Sequence, residues 1–314
     1  METGKVVVIT GASAGIGREL ARRFALDGAR IALLARGSVG LEATADEVTQ
    51  LGGSALILPV DVADYEAVEA AAAQIEQQLG PIDIWINNAA VMLYGAVTDL
   101  PASEVQRVTD VVYHGAVWGT MAALKRMRAR GRGTIVQVGS GAAVRGIPWM
   151  SAYSAAKHAL KGFTESLRAE LLHDKIDVHL TIVHLSSINT PLYSWARNRM
   201  PREIEPMPPI YQPELAADTI YWAAHTHPRD VYFGWSAVAA KVMNPRVPGL
   251  VDRVLARFGY EAQQSDTPTP IDHEDNLFSP IEGNFGTHGE FDDRSQSRAP
   301  LVRLAAWLSA IGLR

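Results

Sequence analysis

Tyr153 and Lys157 stand four residues apart in SAYSAAKHALKGFTESLRAE, residues 151–170. Residues at i and i+4 share one face of a helix, so a phenol and an ammonium project side by side. The apolar positions Ala156, Leu160, Phe163, Leu167 and Leu171 recur at the 3.6-residue period of a buried stripe. That stripe would hold the pair rigidly at the edge of a core. The chemistry such a pair suits is proton transfer. A carbonyl that accepts a hydride becomes an alkoxide and needs a positioned acid, and the reverse reaction needs a base. A free phenol, with a pKa of about 10, is a poor base near neutrality. An ammonium about 4 Å away, at an effective dielectric of about 20, is worth about 4 kcal/mol, or about three pKa units. Lys157 is placed to supply that charge. The spacing alone is common in long helices, so its meaning depends on the elements around it.

Those elements alternate. Residues 5–9, KVVVI, form a continuous β-branched run of the kind expected of a strand buried on both faces. TGASAGIG follows at 10–17, and then a helical pattern through Ile16, Leu20 and Phe24. Strand, glycine-rich turn and helix together signify phosphate binding. The helix start offers free N–H groups, and the glycines let a pyrophosphate approach the backbone. A second strand over 30–34 runs into Ala35-Arg36. Dinucleotide folds place a carboxylate near this point to bond the adenosine ribose. Here alanine removes the negative charge and Arg36 adds a guanidinium, which favours a 2′-phosphate and hence NADP(H) over NAD(H).

Helices are expected over 41–51 and 64–79, and strands over 55–59 and 82–86. Asp61 and Val62 follow the third strand, where a carboxylate can reach an adenine amino group. Asn87-Asn88-Ala89-Ala90 end the fourth. Paired asparagines there can bridge neighbouring strands, while small alanines admit a flat cofactor. A long helix over 104–130 leads to a fifth strand, 134–138, and to Ser140 at a strand carboxyl end, where ligands bind in open α/β sheets. A sixth strand over 177–183 precedes LSSINTP at 185–191, which contains Ile188 and Thr190. Residues 192–213 lack a period and read as a lid over substrate. A helix over 213–224 and a short strand over 230–233 follow. This alternation predicts an α/β fold with a doubly wound parallel sheet.

Composition narrows the possibilities. The chain has 314 residues and a net charge of −5, which gives no electrostatic case for binding nucleic acid. Nine carboxylates and no Lys or Arg lie between Glu261 and Asp293, so the remainder carries about +4. There is no cysteine, which excludes disulfides, thiolate metal sites and thiol nucleophiles. The first residues enter a strand at once, leaving no room for a signal peptide, and a cytoplasmic location is expected. The main unit is expected over 1–258, with an acidic extension over 259–314. Within the extension, residues 260–300 read as a strap anchored by Phe278, Phe285 and Phe291. Leu301, Leu304, Leu308 and Ile311 share one face of a terminal helix, which suits docking on protein and, less well, peripheral membrane contact through 301–314.

TGASAGIG, the Asp61-Val62 pair, NNAA, Ser140 placed thirteen before Tyr153, and YSAAK at 153–157 resemble the short-chain dehydrogenase/reductase (SDR) family over about residues 4–235. The resemblance implies a single Rossmann-type domain and reversible hydride transfer between a nicotinamide and a small-molecule carbonyl or alcohol. It implies Tyr153 as acid and base, Lys157 also holding the nicotinamide ribose, and Ser140 bonding the substrate oxygen. Gly11, Ser13, Gly15, Ile16 and Gly17 would cradle the phosphates, with Arg36 near the 2′-phosphate. Asp61 and Val62 would flank adenine, Asn88, Ala89 and Ala90 the ribose side, and Ile188 and Thr190 the carboxamide. A homodimer or homotetramer is also implied. The chain departs from the family pattern at Val112, where an Asn of the proton relay is usual, and at Leu185-Ser186-Ser187, where a Pro-Gly turn is common. His184 beside that turn reads as a structural histidine. The departure at Val112 sustains an alternative, a noncatalytic NADP(H)-binding sensor that docks a partner through its acidic extension.

Overall fold

The computed structural model describes residues 4–298. Seven strands form one parallel sheet: β1 (Val6–Thr10), β2 (Arg30–Ala35), β3 (Ser54–Pro59), β4 (Ile84–Asn87), β5 (Gly133–Ser140), β6 (Val178–Leu185) and β7 (Asp230–Phe233). Their order is β7-β6-β5-β4-β1-β2-β3, and each adjacent pair is parallel. The strands are largely apolar because helices cover both faces, with Gln137, Thr181 and His184 among the buried exceptions. Val6 and Val8 point into a core with Ile75, Ala123 and Leu167. Val7 and Ile9 point into a second core with Leu20, Leu41 and Ile220. This is the two-residue alternation of a strand, read twice.

The helices on the first face are α3 (Tyr65–Leu79), α5 (Gly115–Arg130) and α6 (Ser151–His173); those on the second are α1 (Gly15–Ala25), α2 (Ser38–Gln50) and α7 (Pro213–Thr226). Asp64 caps α3 by accepting from the Ala67 N–H at 3.1 Å. The chain leaves β1 for β2 on one side and reaches β4 on the other. That reversal opens a crevice at the carboxyl ends of β1 and β4, where open α/β sheets bind ligands.

The expected helix over 104–130 is helical throughout, with a π turn inside it. Its first segment, α4 (Ala102–Thr109), runs through the π turn Asp110–His114 directly into α5. Two further helices, Trp235–Met243 and Pro248–Val254, had no signal in the sequence. Trp235, Val242, Leu250 and Val254 on them are exposed, so no clean division of apolar and polar faces marks them.

The lid is less irregular than its sequence. Arg197–Asn198 pairs with Leu93–Tyr94, Arg202–Ile204 with Gln264–Pro268, and Ile210–Tyr211 with both Ser187–Ile188 and Ser295–Gln296. Such short pairings are non-local and leave no period. Arg199 fastens the lid further with two bonds, 2.7 and 2.6 Å, to the buried Glu104 carboxylate.

Residues from the extension lie against the main sheet unit as a strap, but its anchors differ from expectation. Phe285 packs edge-on to Trp195 at 4.8 Å and Phe291 edge-on to Tyr193 at 6.0 Å. Phe278 is 49% exposed, and its neighbour Leu277 is the fully buried anchor. Aliphatic burial beside a surface phenylalanine follows from which residue faces the groove. The expected terminal helix over 301–314 lies outside the described residues. Among those described, no helix is long and apolar enough to cross a membrane.

Candidate active site

Helix α6 brings Tyr153 and Lys157 to the carboxyl end of β5, both buried, at 8% and 3% exposure. The Lys157 Nζ donates to the Val138 carbonyl at 2.7 Å and lies 5.6 Å from the centre of the Tyr153 ring. Ser140 ends β5, and its hydroxyl accepts from the Ala142 N–H at 3.1 Å. Burial and the neighbouring Tyr193 push the Tyr153 phenol well above its ordinary value, while a hydrogen bond with Ser140 pulls the other way. Burial alone lowers Lys157 to about 8. The expectation of a phenol depressed by the ammonium is therefore corrected. Desolvation dominates, and the ammonium is directed at a backbone carbonyl.

His184 is fully buried behind Ser140, with Nδ1 3.2 Å from the Ser140 carbonyl oxygen and its ring stacked 4.8 Å from Tyr232. Burial lowers its pKa to about 4, which keeps the ring neutral, and its buried Nε2 has no hydrogen-bond partner among the described residues, so the histidine is not fully satisfied.

The glycine turn is held open by backbone geometry. Gly11 and Gly15 have φ of +68° and +55°, a region that side chains with a Cβ avoid. A Cβ on Gly11 would also come within 2.9 Å of the Ala89 Cα. The opposite wall is fixed by one hydroxyl: Thr10 Oγ1 accepts from the Asn88 N–H at 2.9 Å and the Ala89 N–H at 3.0 Å. Asn88 returns a bond from Nδ2 to the Thr10 carbonyl at 2.9 Å. Asn87 meanwhile links β4 to α5 and β5 through Thr120 and Gln137, each at 3.0 Å. The paired asparagines do bridge neighbouring elements.

One cavity of about 560 Å³ joins these parts. Gly11, Ser13, Gly15, Ile16, Arg36, Asp61, Val62, Asn88, Ala89, Ala90, Ser140, Tyr153, Lys157, Ile188 and Thr190 all line it. Gly17 is not among the lining residues. A Cβ there would meet the Gly11 carbonyl oxygen at 2.1 Å, so this glycine packs the helix against the turn. The cradle fits a dinucleotide: Ala14 begins α1 without a side-chain cap, which leaves the first-turn N–H groups to other acceptors.

At the end of the cavity beside Ala35 and Arg36, Asp61 is already engaged. Its Oδ2 pairs with Arg107 Nη2 at 2.5 Å and its Oδ1 accepts from the Ala63 N–H at 3.0 Å. Arg36 donates to backbone carbonyls of the strap, at 3.0 Å to Phe278. At the other end the walls are largely apolar, with Ile147, Met150, Met207, Trp235 and Met243, interrupted by Tyr193. Burial raises the Tyr193 phenol to about 12. Sequence reasoning missed Arg107, Tyr193 and the two helices after β7. Tyr193 alone had a usable signal, as an aromatic hydroxyl three residues past Thr190 at the lid's start. Val112, where an asparagine was absent, is 1% exposed within the π turn, and it is Val111 that reaches the cavity.

Sheet order and glycine cradle place the molecule among nucleotide-binding α/β proteins, and the buried phenol and amine beside the cradle place it among their oxidoreductases. Residues 5–199 match the family described as short chain dehydrogenase. The oxidoreductase YxnA of Bacillus subtilis is 36% identical over 278 residues, covering 87% of this chain and 78% of YxnA. A fatty acyl-CoA reductase of Acinetobacter baylyi is 34% identical over 268 residues, covering 84% and 87%. The crystal structure of levodione reductase superposes with a TM-score of 0.58 at 32% identity, over 60% of this chain and 74% of that one. The chain belongs to the short-chain dehydrogenase/reductase family and is an NAD(P)-dependent enzyme of it.

Replacing Thr10 by the isosteric valine leaves two part-buried N–H groups, those of Asn88 and Ala89, without their acceptor. Thr10→Val is expected to lower stability by about 2–4 kcal/mol, read from the denaturant midpoint. An unchanged midpoint would show that this hydroxyl does not hold the wall.

Proposed function

We propose that this enzyme is an NADP(H)-dependent oxidoreductase that moves a hydride between nicotinamide and an apolar carbonyl or secondary alcohol, with Tyr153 as general acid and base. The supporting observation is that the Tyr153 phenol, the Ser140 hydroxyl and the Lys157 amine meet in the cavity that also runs to the glycine cradle. The dinucleotide supplies or accepts the hydride. Tyr153 gives its proton to the substrate oxygen in reduction, and Ser140 bonds that oxygen as charge develops on it. Lys157 holds the nicotinamide ribose hydroxyls and contributes positive charge beside the phenol.

Gly11, Ser13, Gly15 and Ile16 hold the phosphates, with Gly17 acting through packing. Asp61 and Val62 border adenine, Asn88 to Ala90 the ribose, and Ile188 and Thr190 the carboxamide. The NADP(H) assignment rests on Ala35 and Arg36, a lost carboxylate and a gained guanidinium. The raised phenol is protonated near neutrality, as an acid that gives its proton to a carbonyl oxygen must be. Substrate class follows from the apolar walls, and the acyl-CoA reductase among the relatives agrees with an apolar carbonyl. We further propose a homodimer or homotetramer built on α5 and α6, where Met121 and Leu172 are exposed at 45% and 77%.

Tyr153→Phe is expected to cut ketone and aldehyde reduction by about 10²–10⁴-fold while NADPH binding changes little. A mutant that keeps wild-type turnover would remove Tyr153 from the chemistry. The pH profile gives a separate check. Lys157 is cationic below its folded pKa of about 8 and neutral above it. Reduction at saturating cofactor is thus expected to be level below about pH 8 and to fall above it, and a rate that rises through that range would contradict the role of the ammonium.

A further inference from the structure

The middle of the strap, residues 276–286, forms part of the outer wall of the cavity, and its acceptors stand on the donors that a dinucleotide's phosphates need. The Gly15 N–H at the head of α1 donates to the Gly286 carbonyl at 3.0 Å. The Arg36 guanidinium donates to the carbonyls of Phe278 at 3.0 Å and Leu277 at 3.4 Å, and to that of Asn276. The Glu282 carboxylate lies 3.5 Å from the Val39 N–H in the first turn of α2, and 3.3 Å from where a Cβ on Gly37 would sit. Three separate anion-attracting points, two helix starts and one guanidinium, are thus met by one segment.

The segment is firmly seated. Leu277 is fully buried, and the Asn276 N–H donates to the Trp195 carbonyl at 2.9 Å. Arg107 Nε donates to the Leu277 carbonyl at 3.0 Å, and Arg18 Nη1 to Asn284 Oδ1 at 2.6 Å.

We propose that the strap competes with the cofactor's 2′-phosphate and that Glu282 is a specificity-determining residue for the adenosine ribose. The inference rests on the reading that a nicotinamide dinucleotide fills this cavity with its adenosine ribose at Arg36. A 2′-phosphate that takes the Arg36 donors must displace three carbonyls. It prevails there because a phosphate dianion draws the guanidinium more strongly than neutral carbonyls do and can pair with it bidentately. The strap must then yield, and the Glu282 charge repels the incoming dianion. A ribose hydroxyl meets neither obstacle and can donate to the carboxylate. The β2 end lacks its usual acid at Ala35, and the strap returns one, Glu282, whose carboxylate faces Val39 from 243 residues further along the chain. Arg36 favours NADP(H), and the strap reduces that preference.

Dissociation constants for NADPH and NADH, measured by protein fluorescence quenching on the full chain and on Glu282→Gln, test this. The side chain is exposed and the amide is its near-isostere, so the fold is retained. The substitution is expected to tighten NADPH about five- to tenfold and to leave NADH unchanged or weaker. Backbone amide exchange over 276–286 is expected to be faster with NADPH bound than with NADH. Equal changes for the two nucleotides, or none, would overturn the role of Glu282. The wild-type ratio of the two constants speaks only to the NADP(H) assignment, so the two ideas fail separately.

Discussion

The structure depends on the burial of one amine. Lys157 lies at 3% exposure, where a full charge carries a large desolvation cost, and its Nζ has one carbonyl, that of Val138, at 2.7 Å. Several features meet that requirement. Strand β4 pairs with β5 only as far as Asn87 and Gln137, so β5 runs past its neighbour before the carbonyl that receives the amine. The chain beyond β4 turns aside to pair Asn88 and Ala89 with the Thr10 hydroxyl, which opens the crevice at the point where the strand order reverses. Helix α6 is then fixed in rotation by its apolar stripe, and Tyr153 follows Lys157 into the same space. The lowered amine and the raised phenol have a common cause, exclusion of water from this corner.

The cavity is chemically divided. Beside the glycine turn it is bordered by the Arg36 guanidinium, helix starts and backbone carbonyls. Around Ser140 and Tyr193 it is bordered by Met150, Met207, Trp235 and Met243, with the hydroxyls of Ser186, Ser187 and Ser236 and the polar side chains of Arg145 and Gln263 among them. The lid and strap pair with each other through short strands, so the two ends share a cover. Val112 remains the departure at the centre. The π turn carries an apolar side chain where relatives of this family usually place an amide, and the helix widens to π geometry there all the same.

Much of this was legible in the sequence, for a physical reason. The strands are buried on both faces and therefore read as unbroken apolar runs, and the glycine turn needs conformations that only glycine adopts freely. Tyr153, Lys157 and Ser140 could be found because a period and a strand end carried them. The strap's contacts could not. Arg36 is met by the carbonyls of Asn276, Leu277 and Phe278, and a backbone carbonyl has no signature in residue type. Composition pointed to Phe278 as an anchor, whereas the groove took Leu277. Arg107 was likewise hidden, because its partner Asp61 is 46 residues away on another element. The electrostatic expectation failed for a related reason: sequence gives the spacing of two charges but not the water around them.

The most direct test is a single turnover. Enzyme loaded with one equivalent of NADPH and mixed rapidly with apolar ketones and aldehydes is expected to lose its reduced-nicotinamide absorbance in stoichiometric amount with at least one of them, yielding the corresponding alcohol. Tightly held NADPH whose absorbance stays constant across a broad set of such carbonyls would contradict the account.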